Sequence, residues 1–387
     1  MLRGLLDILE GESDALVIGA GPAGCAAGVT LARAGARVCV LDGATFPRDK
    51  VCGDAISNDG MVIVGDLGAR DAIERGPHAL VRRSVAVFPG GARVERTYDR
   101  PGYIVPRLRF DDCLRRALEA SGARLVQDCR AAEITRVDAR TVRVTGAHLR
   151  WSARVVIATD GYGSIGLAAV GATKPRGPHL AVSATAYYRG VRFPHGDDVA
   201  DHYFERELPY GYGWVFPSVE GISNVGVYLR SDACERTGKK PVELLRDFIA
   251  RHPERFDGAE ATGRPRVWPL PLAPGDGSVT APGVMLAGDA GGFVDPLSGE
   301  GIWQALKTGS LAGEVAARAV AVGALTPALR AEYEGACRRV ITLPSRKKAA
   351  VQRAMAVVVE RELYRVRPVL AALRWGYTRR ALEMTKS

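Results

Sequence analysis

Gly19, Gly21 and Gly24 set a G-x-G-x-x-G spacing between the apolar run "ALVIG" and the stretch "PAGCAAGVTLARAG". Few local patterns restrict a fold as tightly. The apolar run reads as a buried parallel strand. The small residues after it lie at helical spacing and end at Gly35, a helix stop. "RVCVLD" reads as a second strand. The first glycine permits the tight turn, the second lets a pyrophosphate approach the backbone, and the third brings helix against strand. The helix N-terminus adds unpaired N–H groups for the phosphate. Asp42 closes the second strand, 23 residues after Gly19, where a carboxylate accepts bonds from ribose hydroxyls. The pattern predicts a βαβ dinucleotide site built from Gly19, Gly21, Ala23, Gly24 and Asp42.

The rest of the chain does not continue this pattern evenly. Short alternating runs from about Val81 to Glu95 and from Ala181 to Val267, such as "AVSATAYYRGV" and "SNVGVYLR", read as antiparallel strands separated by Gly, Pro and Asn turns. "ARVVIATDG" and "GVMLAGDAG" then return to apolar strands that end in Gly/Asp loops. The expected fold class is therefore α/β, or α+β overall. A discontinuous Rossmann-like nucleotide domain (1–80, 101–178 and 279–326) is interleaved with an antiparallel-sheet substrate domain (81–100 and 179–278), and a basic helical region (327–387) follows.

Charge and cysteine usage narrow the function classes. The net charge is +10 over 387 residues, and Pro327 to Ser387 alone holds fourteen Lys and Arg against five Glu. That tail places Val351, Met355, Val358, Leu363 and Val366 at helical spacing among its charges. It reads as a helix packed on the body with solvated charges, or as a surface for anionic lipid head groups or a phosphorylated substrate. No nucleic-acid module accompanies the charge. The seven cysteines are scattered without a C-x-x-C pair, which argues against zinc and against a closed disulfide framework. The opening "MLRGLLDILEGESD" is too acidic, and its apolar run too short, for a signal peptide. No run approaches the ~18 apolar residues of a spanning helix. A cytoplasmic protein without a metal is expected, its basic tail suited to peripheral contact with the inner membrane surface.

Two later segments choose among dinucleotides. "ATDGYGSIG" places Asp160 after a strand, and "LAGDAGGFVDPLSGEGIWQALKTG" places Gly288, Asp289, Pro296, Gly299 and Gly301 directly before a helix. An acid at a strand end can accept a bond from a ribityl hydroxyl. A glycine-rich helix start can lay N–H groups near a flavin's pyrimidine edge. With the first motif, these segments resemble the flavoprotein class built on the para-hydroxybenzoate hydroxylase fold. The resemblance implies FAD, and Arg107 in "RLRFDDCL" matches that class's arginine flanking the ribityl chain.

"FPRDKVCGDAIS" and "DPLSGEGI" together resemble the geranylgeranyl reductase family, whose members place a Lys-x-Cys-Gly loop beside the flavin. "GYGWVFP" strengthens the likeness: Tyr212, Trp214, Phe216 and Pro217 match the family's Tyr-x-Trp-x-Phe-Pro stretch, and Gly226 follows after eight residues. The family's second glycine is absent, and Tyr228 stands in its place. A phenol there narrows or reshapes the substrate channel. Alternation puts Tyr212, Trp214 and Phe216 on one strand face, either as wall for an apolar substrate together with Tyr228 or as plain core filling.

The resemblance implies an enzyme that reduces carbon–carbon double bonds of an apolar, isoprenoid-like substrate by hydride transfer from reduced flavin. It places Cys52 and Gly53 beside the isoalloxazine, and Lys50 is suited to orient that loop. Cys52 and Tyr212 are the candidate proton donors; a packing cysteine is the bland alternative for Cys52. The rival readings are a flavin monooxygenase acting on an aromatic or polyketide-type molecule, a flavin halogenase, and a non-catalytic flavoprotein. No second G-x-G-x-x-G is present for a nicotinamide, so the expected electron donor is NADPH docking transiently or a ferredoxin.

Overall fold

The computed structural model describes residues 8–273, 275 and 277–378. Residues 379–387 of the expected helical tail lie outside the described residues. Two sheets organise the chain. The first is a mostly parallel sheet in the spatial order Thr280–Ala281, Val284–Leu286, Leu149–Ala158, Leu9–Ile18, Val38–Leu41 and Arg124–Val126, with Val142–Gly146 and Glu133–Arg136 added as antiparallel strands. The Leu9–Ile18 strand starts well before the apolar run that announced it. Leu9 to Ser13 pair with Leu149 to Ala153, and backbone pairing there does not require apolar side chains on both faces.

The Pro22–Arg33 helix crosses between the Leu9–Ile18 and Val38–Leu41 strands, which pair in parallel. The long Ile302–Val322 helix packs closely on it. A Cβ at Gly309 would meet the Ala23 carbonyl oxygen at 2.2 Å, and one at Gly313 would meet the Ala27 carbonyl oxygen at 2.9 Å. Small residues on both helices therefore set the approach that holds the nucleotide turn against the "SGEG" loop.

The second sheet is largely antiparallel. Its order is Glu260–Ala261, Leu180–Arg189, Ile222–Arg230, Gly211–Val215, Val199–Tyr203, Ala79–Val87, Arg93–Ile104 and Ala55–Ile56, with Arg266–Pro271 also pairing on Leu180–Arg189. Val199–Tyr203 runs parallel to Ala79–Val87. The sheet thus draws in Ala55–Ile56 and runs on to Ile104, beyond the 81–100 segment read from alternation. One face is buried by the Pro241–Arg251 helix through Leu244, Leu245 and Phe248. The other faces the nucleotide-type sheet and its loops.

The tail forms helices at Pro327–Cys337, Leu343–Glu360 and Arg367–Thr378. Met355, Val358, Leu370, Leu373 and Tyr377 pack on Phe88, Val94 and Tyr364. Of the apolar positions that repeat through the basic segment, Met355 and Val358 bind it to the body and Val351 lines the cavity, whereas Val366 is exposed. Among the described residues, no helix is long and apolar enough to cross a membrane.

Candidate active site

The two sheets and the tail enclose a cavity of about 710 Å³. Its wall begins at Pro22 of the glycine turn and takes in Cys52, Gly53, Arg107, Asp289, Gly299 and Gly301. It continues along Tyr212, Trp214, Phe216 and Tyr228 to Met355, Leu373 and Tyr377. Residues singled out from three distant parts of the sequence therefore meet on one surface.

The glycine turn has the shape its spacing demands. Gly19 adopts φ +98°, and a Cβ there would lie 2.7 Å from the Thr159 carbonyl oxygen. A Cβ on Gly24 would lie 1.8 Å from the Gly19 carbonyl oxygen. Gly21 is different: its nearest neighbour would be an Arg48 nitrogen at 3.7 Å, so its backbone is open to an approaching group. Asp42 accepts the Ala20 N–H at 2.7 Å and the Ala44 N–H at 2.8 Å. These bonds fix the carboxylate beside the turn and leave lone pairs free.

Asp160 ends the Leu149–Ala158 strand. Its Oδ2 accepts the Ile165 N–H at 2.9 Å, while its buried Oδ1 has no partner among the described residues. Burial pushes its carboxyl up from the ordinary value. Asp160 lies away from the cavity wall.

The 295–301 loop is clamped from two directions. Asp295 Oδ1 accepts the Leu297 and Ser298 N–H groups at 2.9 and 3.1 Å. From the antiparallel sheet, the Tyr228 hydroxyl donates to the Pro296 carbonyl at 2.8 Å and the Tyr212 hydroxyl to the Ser298 carbonyl. From the tail, Lys348 pairs with Asp295, and Gln352 Nε2 donates to the carbonyls of Pro296 and Tyr210. Gly299, at φ +65°, would bring a Cβ within 3.0 Å of the Tyr228 ring. The phenol at the position of the missing family glycine therefore packs under the flavin-type loop. It fills the row beside Tyr212, with which it pairs across the sheet. Gly301 starts the Ile302–Val322 helix without a side-chain cap.

The Cys52 loop forms the third wall. Arg107 is buried and bidentate to Asp111, at 2.7 and 2.8 Å. Its guanidinium also engages the Cys52 thiol. Burial nevertheless pushes the thiol above its usual range, and the Arg107 charge opposes that only in part. Lys50 Nζ lies 3.6 Å from Asp289 Oδ2 and 5.3 Å from the centre of the Trp268 ring.

Sequence reasoning missed the group that ties this loop to the aromatic wall. Asp54 is fully buried at φ +62°. Its carboxylate accepts from the Arg107 N–H at 3.2 Å, the Tyr187 hydroxyl at 2.7 Å and Asn224 Nδ2 at 2.9 Å. Burial pushes it up to about 6 against these donors. Asn224 also donates to the Cys52 carbonyl at 2.8 Å and accepts the Trp214 indole N–H at 2.9 Å. An asparagine inside the apolar strand "ISNVGVYLR" was the available signal, since a buried amide demands partners.

The residues present fit a flavin dinucleotide. The glycine turn leaves its backbone open at Gly21, an uncapped helix start follows the second Gly/Asp segment, and both border the cavity. Among the described residues, no cluster of His, Cys, Asp or Glu is arranged to hold a metal.

Comparison with known proteins agrees. The FAD binding domain family matches residues 12–342. Menaquinone reductase of Mycobacterium tuberculosis is 35% identical over 338 residues, covering 79% of this chain and 77% of that protein. The chain belongs to the geranylgeranyl reductase family of FAD-dependent oxidoreductases. Digeranylgeranylglycerophospholipid reductase 1 of Methanothermobacter thermautotrophicus is 31% identical over 350 residues, covering 86% of this chain and 84% of that one. A geranylgeranyl bacteriochlorophyll reductase-like structure from Thermoplasma acidophilum shares the fold, with a TM-score of 0.82 at 22% identity over 92% of this chain and 90% of that chain. This member of the geranylgeranyl reductase family is thus a flavin-dependent oxidoreductase, and FAD is its cofactor. Its fold is the expected one, a Rossmann-like FAD-binding sheet interleaved with an antiparallel sheet and followed by helices.

Proposed function

We propose that the protein saturates carbon–carbon double bonds of an apolar, isoprenoid-like substrate held between the FAD site and the aromatic sheet face. One observation carries this reading: the cavity is continuous from the Cys52 loop and the 295–301 loop into a wall of Tyr212, Trp214, Phe216 and Tyr228, roofed by Met355 and Leu373. Reductases of menaquinone and of digeranylgeranylglycerophospholipids among its relatives support an isoprenoid chain.

We assign FAD binding to Gly19, Gly21, Ala23, Gly24 and Asp42 at the dinucleotide end. Arg107, Asp160, Gly288 and Asp289 serve the middle, and Cys52, Gly53, Pro296, Gly299 and Gly301 the ring. When bound and reduced, FAD supplies a hydride. The protein must then do three things. The aromatic wall and the tail helices exclude water, which an isolated alkene needs because it is a poor hydride acceptor. The wall also holds the chain against the ring, converting an encounter into a fixed geometry. Finally, a proton must reach the second carbon. Cys52 is the proposed donor: its thiol lines the cavity, is kept protonated by burial, and has the Arg107 guanidinium beside it to receive the thiolate left behind. Tyr212 was the other candidate. Its proton is already given to the Ser298 carbonyl, which fits it better to positioning the loop than to catalysis.

NADPH or a ferredoxin is the proposed electron donor, and the basic tail is the proposed site of peripheral membrane contact. The test of the substrate class is extraction of the purified holoprotein followed by mass spectrometry. A copurifying polyprenyl chain is expected; an enriched small polar aromatic instead would contradict the proposal.

A further inference from the structure

One arginine at the glycine turn has no task in the reading above. Arg48 lies in the loop between Asp42 and Cys52, and its guanidinium is held on two sides. Nη1 donates to Asp111 Oδ2 at 2.8 Å, and the guanidinium carbon sits 4.7 Å from the centre of the Phe46 ring. Phe46 is itself tied down, its N–H donating to Gln127 Oε1 at 2.6 Å. That leaves Nη2 for the glycine turn: it is the atom that a Cβ on Gly21 would meet, at 3.7 Å. The Arg48 charge also reaches the Cys25 thiol, in the first turn of the Pro22–Arg33 helix. The guanidinium therefore stands beside the helix start that the dinucleotide motif presents.

Asp111 satisfies Arg48 only in part. This buried carboxylate gives both oxygens to Arg107, at 2.7 and 2.8 Å, and shares only Oδ2 with Arg48. Arg48 thus has one shared oxygen for all the N–H donors of its guanidinium. Asp42, the other acid at the turn, is directed to the Ala20 and Ala44 N–H groups. Water does little to make up the difference, since only 19% of the Arg48 side chain is exposed. A guanidinium so placed gains most from an anion with several oxygens, and its planar fork matches phosphate geometry.

We infer that Arg48 grips the diphosphate of FAD at the glycine turn, held in position by Asp111. The inference rests on the assignment of Gly19, Gly21 and Gly24 to that diphosphate, and it adds the charged group that the backbone lacks. A helix start offers about half an elementary charge, less than a diphosphate carries, and Arg48 supplies a full one. Asp111 also holds Arg107, so one carboxylate ties the diphosphate end of the site to the guanidinium beside the Cys52 thiol.

The test is competition for FAD on the full chain, followed by flavin fluorescence as the cofactor is displaced. ADP, which carries a diphosphate, is compared with adenosine, which does not, and circular dichroism and melting temperature control for folding. Wild type should be displaced more readily by ADP than by adenosine. Arg48→Met, which keeps the length of the side chain, should shrink that advantage roughly tenfold, the worth of a charge-assisted hydrogen bond. Competition by adenosine should stay unchanged, and Arg48→Lys should recover part of the loss. An undiminished ADP advantage in Arg48→Met would overturn the inference, as would equal weakening of ADP and adenosine, the mark of a loop that has merely loosened. If Arg48→Met does not fold, Arg48→Gln, which keeps a polar end for Asp111, decides by the same ratio. Absence of any ADP advantage in wild type would instead overturn the placement of the diphosphate at the glycine turn, and this inference with it.

Discussion

Asp54 shares its carboxylate with Asn224, whose Nδ2 donates to it at 2.9 Å while the same amide's Oδ1 takes the Trp214 indole proton at 2.9 Å. One side chain thus couples the Cys52 loop to the aromatic wall. Asn224→Ala leaves the indole N–H and the Cys52 carbonyl without that partner. Stability should fall by about 2 kcal/mol, the cost of stranding buried polar groups. Denaturant titration measures the loss, and quenching of Trp214 fluorescence by an added apolar ligand should weaken in parallel.

Asp54, buried behind this wall, and His202, on it, oppose each other in their pH dependence. Asp54 is raised from 3.8 to about 6, so the folded state binds its proton more tightly than the unfolded chain. Its contribution is fully present below about 4 and is lost as pH rises through about 6. His202 is lowered from 6.5 to about 4. Its contribution is present above about 6.5 and is lost as pH falls toward 4. Between these limits the two slopes have opposite sign. Relative to wild type, Asp54→Asn should therefore gain stability as pH rises from 4 to 6, and His202→Phe should lose it. Urea midpoints taken across that window read both slopes.

Cys52→Ala should lower turnover at saturating substrate by roughly a hundredfold, the lower range for a lost general acid. KM should change little, because the thiol contributes a proton rather than a grip on the substrate. Steady-state kinetics with an artificial reductant separates the two effects. Cys52→Ser should recover little, since a serine hydroxyl is a weaker acid than a thiol.

Tyr228 closes the row that a glycine leaves open in the family pattern. Tyr228→Gly should admit longer or bulkier chains, at a stability cost of about 3–5 kcal/mol for the emptied volume. Tyr228→Phe keeps the ring and loses the hydroxyl's bond to Pro296 and its contact with Gln352, costing about 1 kcal/mol. Competition binding with a chain-length series distinguishes them: only the glycine variant should extend the accepted length.

The parts of this site readable from sequence were those fixed by backbone geometry. Gly19, Gly24 and Gly299 each occupy places where a Cβ would strike a neighbour, and steric demands of that kind leave a fixed spacing. The alternation of Tyr212, Trp214 and Phe216 was equally legible, because a strand sends every second side chain to one face. Asp54, Asn224 and His202 were not. Their roles depend on strands brought together across 170 residues, as Asn224 and Asp54 are, and no local period records such a pairing. The tail was half legible. Its apolar spacing gave a helix packed on the body, but nothing local showed that Lys348 and Gln352 would reach the 295–301 loop.

The most direct measurement is anaerobic turnover. FAD-loaded protein, chemically reduced and mixed with a prenylated quinone or another polyprenyl compound, is followed by mass spectrometry of the products. Gain of two hydrogens per saturated bond, without oxygen, is the predicted result. No saturation under these conditions, together with substrate-dependent oxygen consumption and a product bearing a new oxygen atom, would contradict it.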